Sequence, residues 1–450
     1  MNENIMDDQE DLNDIDAQPT KSLFVDMLTR DIGLGRAVLD LVDNSIDGAR
    51  RLRPDKDANF EGLQIEIDLD SNKFRIEDNC GGIPIDLARR YAFRIGRPPE
   101  MKATPNSVGQ FGVGMKRALF KFGRVFEVNS KTATEAFDLR VNVDEWVSDD
   151  KSWKFKFDST ETALDNAPDN CGTTITVTDL REDVASTFGK EYFRIELTRE
   201  IQSAEQEYID RGLRITVNQK TLIATPWELA VGSGMQPAID QFEITAPDQE
   251  PVHVRIFAGT AESSPKQAGW YVFCNGRMVL EADQSSATGW STLGQTDVPK
   301  YHNQFARFRG FVFFDCKDAR RLPWNTTKTG VDTDSAIFQS VRLKMIDAMR
   351  PVINFLNDLD AERENPKDEQ PLTAAVSKAA LVPLKSLTSI SAFKRPDKAV
   401  PKGPPLVGIT FKRPQDRVDA LQDALGVTSA KQAGEMAFDL TARRLLGEES

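Results

Sequence analysis

The chain has 450 residues, 40% hydrophobic and 28% charged, an ordinary globular composition and long enough for two or three domains. Its net charge of −13 argues against a protein coated with nucleic acid, and no apolar run is long enough to cross a bilayer, so a soluble cytoplasmic protein without membrane association is expected. The four cysteines lie far apart without a CxxC pair and read as small buried hydrophobes, and with only His253 and His302 a histidine-rich metal site is excluded.

Residues 1–18 carry seven acids and no base, a run that reads as a disordered, solvating tail. A helix is predicted from Gly35 to Arg50. Its apolar residues Val38, Leu39, Leu41, Val42 and Ile46 cover most of the circumference, as in a buried helix. Asp40, Asp43, Asn44 and Asp47 nevertheless fall at i, i+3, i+4 and i+7, so three carboxylates and an amide share one face. Crowded acids on a buried helix repel and are costly to desolvate, which suits a face looking into a wet cavity that holds a cation. The plainer reading is the solvated edge of an amphipathic helix.

Two alternating stretches, 63–69 and 73–77, read as antiparallel strands joined by Asp70-Ser-Asn72. The second ends in Asp78-Asn-Cys-Gly-Gly82, which sets a carboxylate at a strand end beside backbone that a flat ligand can approach. After the polar stretch opened by Gly96-Arg-Pro-Pro99, Ser107–Ala118 holds glycines at 109, 112 and 114 before an apolar helix, Met115 to Phe122. Glycine amides at a helix start make an anion cradle, and Lys116 adds a charge. No βαβ pattern precedes them, so a dinucleotide fold is disfavoured. Further strands are expected at 123–128 and 172–178.

DLVDNSIDGA, IEDNCGGIP, SVGQFGVGMKRA and CGTTITV, in this order over residues 35–178, resemble the four motifs of the ATPase superfamily shared by gyrase, the ninety-kilodalton heat-shock chaperones, histidine kinases and MutL. The wording of the third is nearest to the chaperone and MORC branches. The resemblance implies an α+β fold in which a Bergerat-type ATPase sandwich, helices on a mixed, largely antiparallel sheet, binds ATP and Mg²⁺. By position, Asp40 stands where the family has its general base and Asn44 where it holds Mg²⁺. Asp78 stands where the adenine amino group is accepted, Thr173 supports it through water, and Gly82 lines the adenine floor. Gly109, Gly112, Gly114 and Lys116 stand where the phosphates are wrapped. Two departures are notable: the base is usually glutamate, one methylene longer than Asp40, and the first glycine of the adenine motif is Cys80 here. Asp43 and Asp47 receive no role.

The resemblance divides the rest of the chain. After the ATP-binding domain (19–188) comes a second domain (189–356), expected to be a ribosomal-S5-like α/β transducer, with a helix at 192–208, several strands and a helix at 335–356. Its VFCNGRMV (272–279) is similar to a V-N-x-R turn of MutL and MORC. In those families a following loop delivers a lysine to the γ-phosphate; Lys328 is the candidate, with Lys317 as the alternative. A second domain of this kind argues against a sensor histidine kinase. Residues 357–405 read as a flexible, proline-rich linker, basic in its second half. Residues 406–450 read as a small β-α-α unit resembling a ribbon-helix-helix module, with a strand at 408–413 and helices at 415–425 and from Thr428 or Ser429 to 446. Such a module dimerises or docks, and in its DNA-reading form places Thr410 and Lys412 in the major groove. The expected function is slow Mg²⁺-dependent ATP hydrolysis driving an ATP-gated homodimer in a DNA-associated process. The alternatives are a chaperone-like ATPase acting on protein clients and a nucleotide-regulated binding module with negligible turnover.

Overall fold

The computed structural model describes residues 20–30, 32–55, 58–94, 105–109, 112–149, 152–290, 298–325, 327–363, 365–398 and 408–447. The acidic tail, Gly96-Arg-Pro-Pro99 and Gln110-Phe111 of the glycine-rich segment lie outside these residues. The chain divides into two compact units, 1–398 and 399–450.

The first unit begins with helices α1 (Lys21–Arg30) and α2 (Leu34–Leu52). Strands β1 (Gln64–Leu69) and β2 (Phe74–Asp78) form the expected hairpin; β1 buries every second side chain, and Asp70 closes the turn by accepting from the amides of Asn72 and Lys73. The short helix α3 (Ile85–Leu87) runs into a π-helical turn, Ala88–Ala92, and α4 (Gly114–Phe122) follows the glycine-rich segment. Strands β3 (Gly123–Lys131) and β4 (Glu135–Asn142), helix α5 (Val143–Ser148), strands β5 (Ser159–Thr162) and β6 (Gly172–Leu180), and helices α6 (Glu182–Phe188), α7 (Glu191–Ala204) and α8 (Gln206–Asp210) come next. Strands β7 (Arg214–Val217) and β8 (Lys220–Thr221) complete one eight-stranded sheet in the order β5-β4-β3-β6-β2-β1-β7-β8.

Two expectations need correction here. The first sheet does not end near residue 188: β7 pairs in parallel with β1 and covers an edge that would otherwise present unpaired backbone groups. The single helix expected at 192–208 is two helices broken at Glu205, whose side chain is fully buried. Helices and sheet share one apolar core, in which the rings of Phe74, Phe122 and Phe188 lie 4.8–6.1 Å apart.

The second sheet holds β10 (Ala238–Ile244), β11 (Val252–Thr260), β12 (Gly269–Cys274), β13 (Arg277–Asp283) and β14 (Phe308–Asp315), in the order β10-β11-β14-β12-β13. Only β12 and β14 run parallel. Helix α9 (Ala336–Glu362), capped by Ser335, packs on β11 and β14. Before this sheet, β9 (Glu228–Val231) pairs with a late strand, β15 (Ala380–Pro383).

That pairing corrects the linker. Asn357 to Glu362 continue α9, the Glu362 carboxylate caps helix α10 (Pro371–Lys378) by accepting from the amides of Leu372 and Thr373, and proline at the first helical position starts that helix instead of breaking it. Beyond β15 the chain pairs through Ser391 with Ile239 and through Lys394 with Gln236. Three of its bases face acids of the body: Lys385 meets Asp210, while Arg395 and Lys398 share Asp358.

In the second unit, α11 (Gln415–Leu425) ends at Gly426 in the left-handed region, and Ser429 caps α12 (Ala430–Leu446). Residues 408–413 pair with no strand among the described residues, so the expected β element does not form within one chain. Ala433 is the one buried residue described in this unit, while Ile409, Phe411, Phe438 and Leu440 are more than half exposed. No helix among the described residues is long and apolar enough to cross a membrane. The four cysteines are buried and free.

Candidate active site

The polar stripe of α2 is buried, not solvated: Asp40, Asp43 and Asp47 are each less than a tenth exposed. Such crowding persists because cations surround it. Arg36, one and two turns upstream, donates from Nη2 to Asp40 Oδ1 (3.1 Å) and to Asp43 Oδ2 (3.5 Å). Arg117 from α4 donates to the other oxygen of Asp40 (2.6 Å). Lys328 Nζ donates to Asp43 Oδ2 (2.6 Å) and stands 3.9 Å from Asp40 Oδ1, and Arg277 Nε is 3.4 Å from Asp43 Oδ1. Burial alone would raise the Asp43 carboxyl; Lys328, Arg277 and Arg36 overcome it and hold the group down at about 2.

Asp47 anchors the glycine-rich segment. Its two oxygens accept from the amides of Val108 (2.7 Å) and Gly109 (2.8 Å), against a burial that pushes the carboxyl up. Glycine is needed at these contacts. A Cβ on Gly109 would lie 2.6 Å from Asp47 Oδ2, one on Gly114 would lie 3.0 Å from the Asp40 carboxyl carbon, and Gly112 has φ +67°. Lys116 is placed differently from expectation. Its buried ammonium donates to the carbonyls of Ala92 (2.9 Å) and Gly112, so it ties down the segment it belongs to; burial lowers it to about 7.

At the other end of α2, Ser45 donates to Asp78 Oδ2 (2.6 Å), and the amides of Cys80 (2.8 Å) and Thr173 (3.3 Å) donate to Oδ1. Burial raises the Asp78 carboxyl in spite of these bonds. Asp78 and Thr173 are register partners of β2 and β6, and the Thr173 hydroxyl lies 3.0 Å from that of Ser130. Gly172 permits the close approach, since a Cβ there would fall 1.8 Å from the Asp78 carbonyl oxygen. Gly82 (φ +71°) sits against the Lys131 carbonyl. Cys80 replaces glycine without disturbance because Gly48 faces it: a Cβ on Gly48 would lie 3.1 Å from that of Cys80. A cavity of about 710 Å³ opens among Gly48, Gly81, Gly82 and the 132–135 turn.

The second sheet contributes through two turns. Asn325 accepts from the Thr327 hydroxyl and the Thr329 amide and so shapes the loop that holds Lys328 at φ +53°, a conformation costly for a side-chain-bearing residue. Lys317, the alternative lysine, is two-thirds exposed and 4.0 Å from Glu250, away from the stripe. The Asn275-Gly276 turn places Arg277, whose Nη1 meets Glu205 Oε1 (2.5 Å) at the break between α7 and α8. Asn275 itself reaches back to the Ser107 carbonyl (3.1 Å), beside Val108 and Gly109.

Asn44 suits a hydrated divalent cation. The atom able to ligate is its Oδ1, which would lie 3.5 Å from a Cβ on Gly109 and so faces the glycine-rich segment. Its Nδ2 is a buried donor without a partner, suited to an anion and not to a cation, and among the described residues no group of three or more His, Cys, Asp or Glu forms a metal cage. A single amide oxygen beside the glycine-rich segment fits Mg²⁺, an ion that takes few protein ligands and keeps most of its coordination as water. Sequence reasoning missed Arg36, Arg117, Arg277 and Glu205 and left Asp43 and Asp47 unassigned. The four-residue spacing of Arg36 to Asp40 on one helix face was a signal for the first of these; nothing in the sequence pointed to Glu205.

No curated protein matches the chain. Residues 32–173 match the model of the family described as Histidine kinase-, DNA gyrase B-, and HSP90-like ATPase, a span that runs from just before α2 to the threonine beside Asp78. The four motifs and the side chains just described fall within it, apart from the residues that the second sheet and its loops supply, Glu205 between α7 and α8, and the later part of β6. Residues 32–173 of this chain are therefore similar to the ATPase domain shared by histidine kinases, DNA gyrase B and HSP90.

Proposed function

We propose that the chain is a Mg²⁺-dependent ATPase in which Asp78 and Thr173 hold the adenine, Asp40 is the general base, and nucleotide binding gates association of two copies. The observation that carries this reading is the delivery of Lys328, from a loop 285 residues away in sequence, to the Asp40–Asp43 face. Asp78 presents a carboxylate acceptor suited to an exocyclic amino group, and Gly82 keeps the backbone low beside it. Asn44 would hold Mg²⁺, which would supply neutralisation of the phosphate charge. Asp40 orients a water whose oxygen attacks the γ-phosphorus and takes the proton it sheds, while the bond to the β–γ bridging oxygen breaks and ADP leaves. The loop and lid residues supply position and charge, the main requirements of phosphoryl transfer. Aspartate reaches one methylene less far than glutamate, so turnover is slow. Because the γ-phosphate would meet a lysine from the second sheet, the arrangement of the two sheets reports ATP against ADP.

Asp40→Asn tests the assignment. It should retain nucleotide affinity and lose turnover by roughly a hundredfold or more; undiminished hydrolysis would place the base elsewhere.

The association of two copies is supported by residues 408–447, whose exposed Ile409 and Phe411 alternate with Thr410 and Lys412 along an unpaired segment. Pairing such segments across a two-fold would satisfy their backbone and cover the apolar side chains. Phe411→Asp in the full chain should lower the sedimenting mass from dimer to monomer at micromolar concentration. DNA is the favoured clamped partner, with Thr410 and Lys412 on the outer face of the paired strands. Binding of duplex DNA that weakens steeply with salt supports it, and binding of unfolded protein without DNA binding favours a chaperone-like role.

A further inference from the structure

We propose that Arg36 and Arg117 grip the terminal phosphate of ATP, in the place where the lid motif offers a lysine. This inference rests on the ATPase reading above. Lys116, the lysine of the motif, is committed: its ammonium is spent on the carbonyls of Ala92 and Gly112, and burial has weakened its charge. The next residue, Arg117, turns the other way and reaches Asp40 Oδ2, while Arg36 reaches Asp40 Oδ1. One carboxylate is thus held between two guanidinium groups, and both retain unused donors. Arg36 Nε and Arg117 Nε are buried and have no hydrogen-bond partner, although Arg36 is nine-tenths buried and Arg117 little less.

A buried N–H without an acceptor is costly and is usually explained by a missing partner. The partner must be anionic, because Arg36, Arg117, Arg277 and Lys328 already outnumber the carboxylates of Asp40, Asp43 and Glu205 that they contact. It must also offer several oxygens close together, because planar forks recognise such groups best. A γ-phosphate beside Asp40 meets both conditions; the β-phosphate of ADP has the same chemistry, but in the ATPase reading it would lie farther along α2, toward Asn44 and out of reach of this pair. As the guanidinium groups turn to phosphate oxygens, Asp40 is released to take a proton from water. The base is therefore held back until ATP is in place.

The test is calorimetric titration of the full-length wild type, Arg36→Gln, Arg117→Gln and Arg117→Lys with MgATP and with MgADP, with turnover measured alongside. Each glutamine variant should lose about tenfold or more in MgATP affinity, the loss of a charged hydrogen bond, and keep its MgADP affinity within about twofold. Arg117→Lys keeps the charge without the fork and should fall between. Equal loss for both nucleotides, loss for neither, or faster turnover in the glutamine variants would overturn the proposal and leave the ATPase reading standing. A wild type that takes up neither nucleotide would overturn both. If Arg36→Gln does not fold, the Arg117 pair decides the matter through the same ratio.

Discussion

Asn275 Nδ2 donates to the carbonyl of Ser107 at 3.1 Å, and this one bond fastens the second sheet to the root of the glycine-rich segment. The same side chain also donates to the Cys316 carbonyl (3.0 Å) and accepts from the Cys316 amide (2.9 Å), so its orientation is fixed from three directions. Next to it the Asn106 amide donates to the Lys317 carbonyl (3.2 Å). Residues 106–109 are therefore held from the second sheet on one side and by Asp47 of α2 on the other.

Asn275→Ala should release that grip. Leaving the Ser107 carbonyl and the Cys316 amide unmet costs roughly 1–3 kcal/mol of stability. Amide hydrogen exchange at residues 105–109 should quicken, with a fall in ATP affinity and little change in the exchange of the β1–β2 hairpin. Unchanged exchange at 105–109 would mean that Asp47 alone anchors the segment.

Asp43→Asn removes the charge that balances Lys328, Arg277 and Arg36. At neutral pH it should cost up to roughly 3–5 kcal/mol, because partners are left buried and unpaired. The sign of the pH dependence follows from the carboxyl being held at about 2 in the folded chain against an ordinary 3.8. The stability it contributes is present above pH 4 and is lost as pH falls through 2. Chemical denaturation of wild type and variant across that window should bring the two curves together at the acid end; a constant gap would contradict the ion-pair account.

Gly172→Ala puts a methyl where the Asp78 carbonyl oxygen already lies, 1.8 Å from the ideal Cβ position. Strands β2 and β6 must then separate at the Asp78–Thr173 pair. The expected outcome is a loss of roughly 1–3 kcal/mol or more with nucleotide binding abolished, measured by thermal melts with and without MgATP. A variant still stabilised by MgATP would show that this contact is dispensable.

Much of this site was legible in the chain because its chemistry is local: the acid stripe of α2, the Asp78 strand end and the glycine spacing each occupy a few consecutive residues. The cations were harder to see. Arg277 and Glu205 meet across 72 residues, and only the break between α7 and α8 turns Glu205 inward. Lys116 donates to backbone carbonyls, which was not legible because spacing places a residue on a helix but does not say where its ammonium ends. The segment after Asn357 looked like a linker because a lone added strand such as β15 carries no long alternation; its partner β9 lies some 150 residues earlier.

Lys328→Met should keep the fold of the second sheet, since the loop is shaped by Asn325 and not by the ammonium. Turnover should fall by roughly a hundredfold, with MgADP affinity retained. Lys317→Met should leave both unchanged, because that side chain is exposed and distant from the stripe. Equal effects from the two substitutions would remove Lys328 from the active site.

The most direct measurement is equilibrium titration of the purified full-length chain with ATP in the presence of magnesium, beside Asp78→Asn. Saturable binding by the wild type and its loss in Asp78→Asn, where an amide donor would face the adenine amino group, is the expected result. A wild type that shows no saturable uptake of ATP, or an Asp78→Asn variant that binds it equally well, would contradict the convergence of α2, the Asp78 strand end and the glycine-rich segment on one nucleotide.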